Sequence, residues 1–183
     1  MPYAKVVIAI LTGLTLGCGG GDGADSAADT SDVPGAGAVG AADLPDPCAL
    51  VGDEEVSELL WRDMASGQRE ALQARSARHE FTRRVEDVSF PAGRTCHVAY
   101  RRVAADSVWG EGDFRLRTLD RQAFDMLAGA SSSRDPIAGV GDQAFYMSNA
   151  AYARRGDVGV EVVDFGSKDV EIELLKRAVA KLP

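Results

Sequence analysis

Arg94-Thr95-Cys96-His97-Val98-Ala99-Tyr100-Arg101-Arg102-Val103 is the stretch on which the fold turns. Cys96, Val98 and Tyr100 alternate with His97, Ala99 and Arg101, and a period of two marks a strand with one buried and one wet face. The same alternation recurs at Asp113–Thr118, where Phe114 and Leu116 are interleaved with Arg115 and Arg117. Gly110-Glu111-Gly112, between the two, reads as the turn that joins them. Residues 81–90 form a weaker strand candidate upstream. Downstream, Ala144–Met147, a turn near Asn149, and two strands joined at Gly156-Asp157 complete the β content, with Val158, Val160 and Val162 alternating in the last.

Helical patterns lie around these strands. Asp53 is placed to cap a helix whose first turn carries Glu54 and Glu55, favourable against the dipole, and whose apolar stripe is Val56, Leu59 and Leu60. Residues 67–80 are charged and Ala-rich, with Leu72 the one strong anchor, and read as a second, surface helix. Asp120 caps a short helix holding Ala123, Phe124 and Leu127 that stops at Gly129. Residues 130–142 read as a loop of small residues. Residues 168–182 carry Val170, Leu174, Leu175, Ala178, Val179 and Leu182 on one face. The expected fold is α+β, an antiparallel sheet of about five or six strands covered by N-terminal, middle and C-terminal helices. Strand–helix alternation throughout, which a parallel sheet would need, is absent. The order helix–strands–helix–strands–helix suggests two related halves.

The N-terminus decides the compartment. Lys5 precedes an apolar run from Val6 to Leu16 that is too short to span a bilayer, which takes roughly 20 apolar residues. The run closes at Leu14-Thr15-Leu16-Gly17-Cys18, which resembles a lipobox, with Thr15 where that pattern usually has Leu. The resemblance implies that residues 1–17 are a lipoprotein signal peptide and that Cys18 is the lipidation site, its thiol diacylated and its chains (palmitate among them) holding the protein to a membrane. An ordinary signal peptide that leaves Cys18 free is the alternative. Residues 18–47 are mostly Gly, Ala, Asp, Ser and Thr with no aromatic residue, a composition that cannot bury enough apolar area to fold. As a flexible tether of about thirty residues it would reach roughly 30 Å. Residues 48–183 remain for a single domain.

The chain of 183 residues has a formal net charge of −8. Losing Lys5 with the signal takes it to −9, and setting aside the aspartates of the tether leaves the domain at −3. The acidity is therefore mostly in the tether, and nothing resembles a nucleic-acid footprint. With Cys18 lipidated, Cys48 and Cys96 are an even pair in an oxidising compartment, where a structural disulfide is expected. The alternatives are two isolated thiols or a metal site, and Cys48, Cys96 and His97 offer few ligands for the latter.

The stretch "DPCALVGDEEVSELL" from Asp46, the second cysteine on a strand, and Gly139-Val140-Gly141-Asp142-Gln143-Ala144 together resemble a secreted bacterial lipoprotein domain of unknown function, abundant in actinobacteria. The resemblance spans residues 46–183. It implies an extracytoplasmic, tethered domain and transfers no catalytic residue. The implied address is the cell envelope: the outer membrane where the cell has one, otherwise the outer leaflet of the plasma membrane.

Reactive constellations are thin. There is no Gly-x-Ser-x-Gly elbow, His-Glu-x-x-His or Walker loop, and Gly139-x-Gly141 precedes a strand rather than a helix, unlike a dinucleotide fingerprint. Its glycines are read as supplying positive φ where the chain turns into a buried strand. His79, within the charged helical stretch, is read as a solvated surface residue, and His97 as a structural histidine. Ser131, Ser132 and Ser133 have no assignable base. Arg101, Arg102, Arg115 and Arg117 can form a basic patch if their strands pair, with edge and surface protection as the plainer reading. No cofactor, metal or catalytic residue is assigned, and the protein is read as no enzyme. The expectation is a non-catalytic binding module for an envelope protein, glycan or small ligand, partnered with the membrane through its anchor and not with nucleic acid. An envelope enzyme, such as a hydrolase, is the alternative.

Overall fold

The computed structural model describes residues 43–89, 92–105, 107–130 and 132–183. The expected signal peptide at residues 1–17, the expected lipidation site Cys18, most of the expected tether and Ser131 lie outside the described residues. The fold is α+β. Helices α1 (Asp53–Asp63) and α2 (Ser66–Gln73) precede strands β1 (Arg78–Ser89), β2 (Ala92–Ala104) and β3 (Ser107–Asp120). Helix α3 (Arg121–Ala130) then leads to β4 (Asp135–Pro136), β5 (Gln143–Met147), β6 (Ala150–Arg155) and β7 (Val158–Val163), and α4 (Lys168–Ala180) closes the chain.

All seven strands form one antiparallel sheet in the order β1-β2-β3-β7-β6-β5-β4. Two meanders therefore meet along β3 and β7, with Leu116 opposite Val162 and Thr118 opposite Val160. The sheet has one strand more than five or six because Asp135–Pro136, inside the stretch read as a loop, pairs with Phe145–Tyr146. Tight turns make the antiparallel pairing: Ser148 and Asn149 both have positive φ between β5 and β6, as a two-residue hairpin with right-handed strand twist requires.

One face of the sheet packs on α1 and α4. Cys96, Val98, Phe114, Leu116, Val160 and Val162 point into this layer against Val56, Leu59, Leu174 and Leu175, all nearly inaccessible to water. The other face is covered over β5 and β6 by α3, where Phe124 meets Phe145 and Tyr152. Asp120 caps that helix by accepting from the Ala123 N–H at 2.7 Å, as its position predicts.

Three expectations need correction. Gly52, not Asp53, is the cap of α1, and the Glu55 carboxylate reaches back 2.8 Å to the Gly52 N–H. The second helix ends at Gln73, so His79 and Glu80 belong to β1. Gly110-Glu111-Gly112 is no turn but the middle of β3. The reversal between β2 and β3 comes earlier, where Ala105 has φ 51° and Ala104 stands opposite Ser107. The two glycines serve β2 instead. A side chain at Gly112 would meet the Tyr100 ring at 2.6–3.1 Å, and one at Gly110 would stand 3.3 Å from Arg102 Nη1. Their missing side chains let Tyr100 and Arg102 lie flat across the neighbouring strand.

Candidate functional site

The long strands β1–β3 run past the helices that cover the core, and at their outer ends the face shared with α1 carries an aromatic cluster. His79 and Phe81 of β1 stand opposite Arg102 and Tyr100 of β2. Trp61, at the end of α1, closes over them, its ring centroid 4.7 Å from that of His79. Phe81 and Tyr100 approach the same imidazole at 6.0 and 6.1 Å. Sequence periodicity pointed to none of this, because it placed His79 on a helix; in the structure the histidine is half-buried.

His79 is hydrogen-bonded at both nitrogens. Arg102 Nε lies 3.3 Å from Nε2, and Ser57 Oγ of α1 lies 2.8 Å from Nδ1. A guanidinium only donates, so Nε2 is the acceptor, and the neutral ring carries its proton on Nδ1 and donates it to Ser57. Burial, and then the charge of Arg102, push His79 down to a pKa of about 4. The folded protein therefore binds fewer protons here than the unfolded chain, whose histidine titrates near 6.5. The stability this supplies is present above about pH 6.5 and is lost as pH falls toward 4. Wild type should accordingly melt at a lower temperature at pH 5 than at pH 7.5, and His79→Gln should flatten that difference. A slope unchanged in His79→Gln would show that the histidine is not its source.

Two grooves flank the cluster. One, of about 670 Å³, has an acidic rim of Asp53, Glu54, Glu58 and Glu80 around Ser57, Trp61 and His79. The other, of about 290 Å³, lies between Met64, Leu72 and Arg75 on one side and Arg102 and Trp109 on the other. Trp109 is there because of a β-bulge: Arg102 is opposite Gly110 but Val103 is opposite Val108, leaving Trp109 outside the register and 47 % exposed.

The other residues singled out in the sequence do not join this site. Cys48 and Cys96 form a disulfide, with their Cα atoms 5.1 Å apart. His97 is on the opposite sheet face, where its Nε2 is 3.1 Å from Glu86 Oε2. The four arginines do not make one patch. Arg102 points to the aromatic cluster, while Arg101, Arg115 and Arg117 share the other face and are matched by Glu80, Asp164 and Glu161. The shallow depression of about 570 Å³ on that face, bordered by Thr82, Ala99 and Glu111, thus has its cation Arg101 already neutralised.

Gly139 and Gly141 both have positive φ, 73° and 57°, as read from their place before β5. One further buried titratable group, Glu171 of α4, is 2 % exposed, and burial raises its carboxyl pKa. It accepts from the Phe165 N–H at 2.9 Å and so fixes the turn from β7 into α4, which is a structural task.

Among the described residues no cluster of three His, Cys, Asp or Glu side chains is placed to hold a metal, and no helix is long and apolar enough to cross a membrane. Ser57, Trp61, Arg75 and Trp109 were not picked out by sequence pattern. The one signal available was a tryptophan beside Gly110, at a point where the alternation of β3 breaks. Comparison of the chain with protein-family models, with curated proteins and with solved structures found no match.

Proposed function

We propose that the protein is an envelope lipoprotein, anchored through Cys18, whose folded part is a non-catalytic binding module presenting the aromatic recess at the outer end of β1–β3. The observation that carries the binding reading is the polarity of the Ser57–His79–Arg102 row. Nucleophilic catalysis needs the imidazole nitrogen facing the serine to accept a proton, with an acid behind the ring to stabilise the resulting charge. Here a cation stands behind the ring, the nitrogen facing Ser57 carries the proton, and the pKa is driven down. This row cannot activate Ser57, whereas tryptophans, a tyrosine and an arginine around a recess are what recognition surfaces use. The lipobox-like stretch and the resemblance at residues 46–183 support the anchor and the address.

The test uses the native, lipidated chain. Cys18→Ala should abolish lipid labelling and membrane retention, since each buried methylene contributes about 0.8 kcal/mol and two or more chains hold firmly. Continued labelling of that variant would sink the anchor. Envelope extract should shield Trp61 and Trp109 from acrylamide quenching without being consumed. Turnover of an extract component that is lost in Ser57→Ala would favour the enzyme instead.

A further inference from the structure

We propose that the recess between α2 and the bulge of β3 binds a small, freely diffusing organic acid, its carboxylate or phosphate held by Arg75 and Arg102 and its apolar body resting on Trp109. This deepens the binding reading above by naming a ligand class, and it rests on that reading.

The first observation is charge. The folded part carries a net −3, and most of its arginines have acidic partners, as Arg83 has Asp53, Arg101 has Glu80 and Arg177 has Glu58. Among the described residues neither Arg75 nor Arg102 enters an ion pair, yet both line the same recess. A half-buried guanidinium without a counter-charge is costly, and an anionic ligand supplies what is missing.

The second is orientation. Arg102 lies over the Trp61 ring, 5.4 Å from its centroid, and over Gly110, with Nε engaged by His79. Its Nη1 and Nη2 have no hydrogen-bond acceptor among the described residues. Arg75 stacks on Trp109 at 4.6 Å. Stacking occupies the flat face of a guanidinium and leaves its N–H edge presented, which is the arrangement that grips a carboxylate or phosphate through two bonds.

The third is the apolar half of the site. Trp109, 47 % exposed, is among the few large hydrophobic side chains left to water in the described residues, and the bulge that unpairs it turns it toward Leu72, which is buried, and Met64. Exposing an indole and breaking a strand register both cost stability, and the recess gives them a common use. Its volume of about 290 Å³ suits one ring or a short chain with its acid group.

The test titrates the full chain with phenyl phosphate and with benzoate, followed by calorimetry and tryptophan fluorescence, with benzyl alcohol as the neutral control. Saturable binding of the acids is expected, weakened about tenfold or more by Arg75→Gln and by Arg102→Gln, with no binding of the alcohol. Arg102→Gln also removes a neighbour of His79, so the exposed Arg75 is the decisive variant. Equal affinity for the alcohol, or arginine variants that bind as wild type, would overturn the inference and leave the binding module standing. Displacement of phenyl phosphate by phosphatidylglycerol vesicles would also overturn it, by moving the anion to a membrane surface. Failure of every acid while envelope extract still shields Trp109 would remove this ligand class alone. Failure of both would remove the binding reading as well.

Discussion

Cys48→Ser should lower the melting temperature by roughly 10 °C, the equivalent of about 3–4 kcal/mol. The two cysteines are 48 residues apart in sequence, and closing a loop of that length removes much of the entropy of the unfolded chain. Cys96 is fully buried on β2, next to the edge strand, whereas Cys48 sits in a single 3-10 turn, Pro47–Ala49, ahead of α1. The bond thus fastens the start of the helical layer to the strand it covers. The segment is not held by the disulfide alone. Leu44 is buried, Thr118 Oγ1 donates to the Pro45 carbonyl at 3.0 Å, and Arg83 Nη1 donates to the Cys48 carbonyl at 2.8 Å. Packing therefore begins ahead of Cys48, and the variant should fold, cooperatively but at lower temperature. Calorimetry of the two proteins without reductant measures the shift, and non-reducing peptide mapping verifies the link. An unchanged melting temperature would mean that these side-chain contacts already carry the constraint. Cys48 is the better position to replace, because serine at 96 would also bury a hydroxyl in the core.

Gly141→Ala should destabilise by about 3 kcal/mol or more, and Gly139→Ala by only about 1–2 kcal/mol, although both glycines have positive φ. The difference is space. A β-carbon at 139 meets nothing within 4 Å, while one at 141 would stand 2.3 Å from the Arg154 carbonyl oxygen. That oxygen already accepts from the Asp142 N–H at 2.7 Å, and the Asp142 carboxylate accepts from Gly156 N–H at 2.7 Å. The loop is thereby pinned to the hairpin between β6 and β7, with Val140 buried beside it. Since the obstacle is backbone, no side chain can rotate away to relieve it. Chemical denaturation of the two variants side by side checks the ratio. Equal costs would show that the loop gives way and that conformation alone sets the penalty.

The sequence by itself determined the class of fold and most of its elements. Alternation at Cys96–Tyr100, Phe114–Leu116 and Val158–Val162 stated which side of each strand is buried, because a strand's side-chain period is fixed by its backbone. The stripe from Val170 to Leu182 did the same for α4, and cysteine arithmetic found the disulfide. Local signals also placed the turn at Asn149, where the backbone conformation itself needs the residue type. What failed locally failed where a residue answers to a neighbour distant in sequence. Gly110 and Gly112 read as a turn because glycine usually serves its own backbone, but here they serve Tyr100 and Arg102 on the adjacent strand. His79 looked like a surface residue of a charged helix until β1 paired with β2 and Trp61 closed over it. The arginines of β2 and β3 left a shared basic patch open beside plain surface protection, but Arg101 and Arg102 are consecutive, so the pleat sends them to opposite faces. Tertiary structure alone decided the recess. It assembles α1, α2, β1, β2 and the bulge of β3 around one imidazole and the guanidinium groups of Arg75 and Arg102, and no single stretch of the chain contains enough of it to be read.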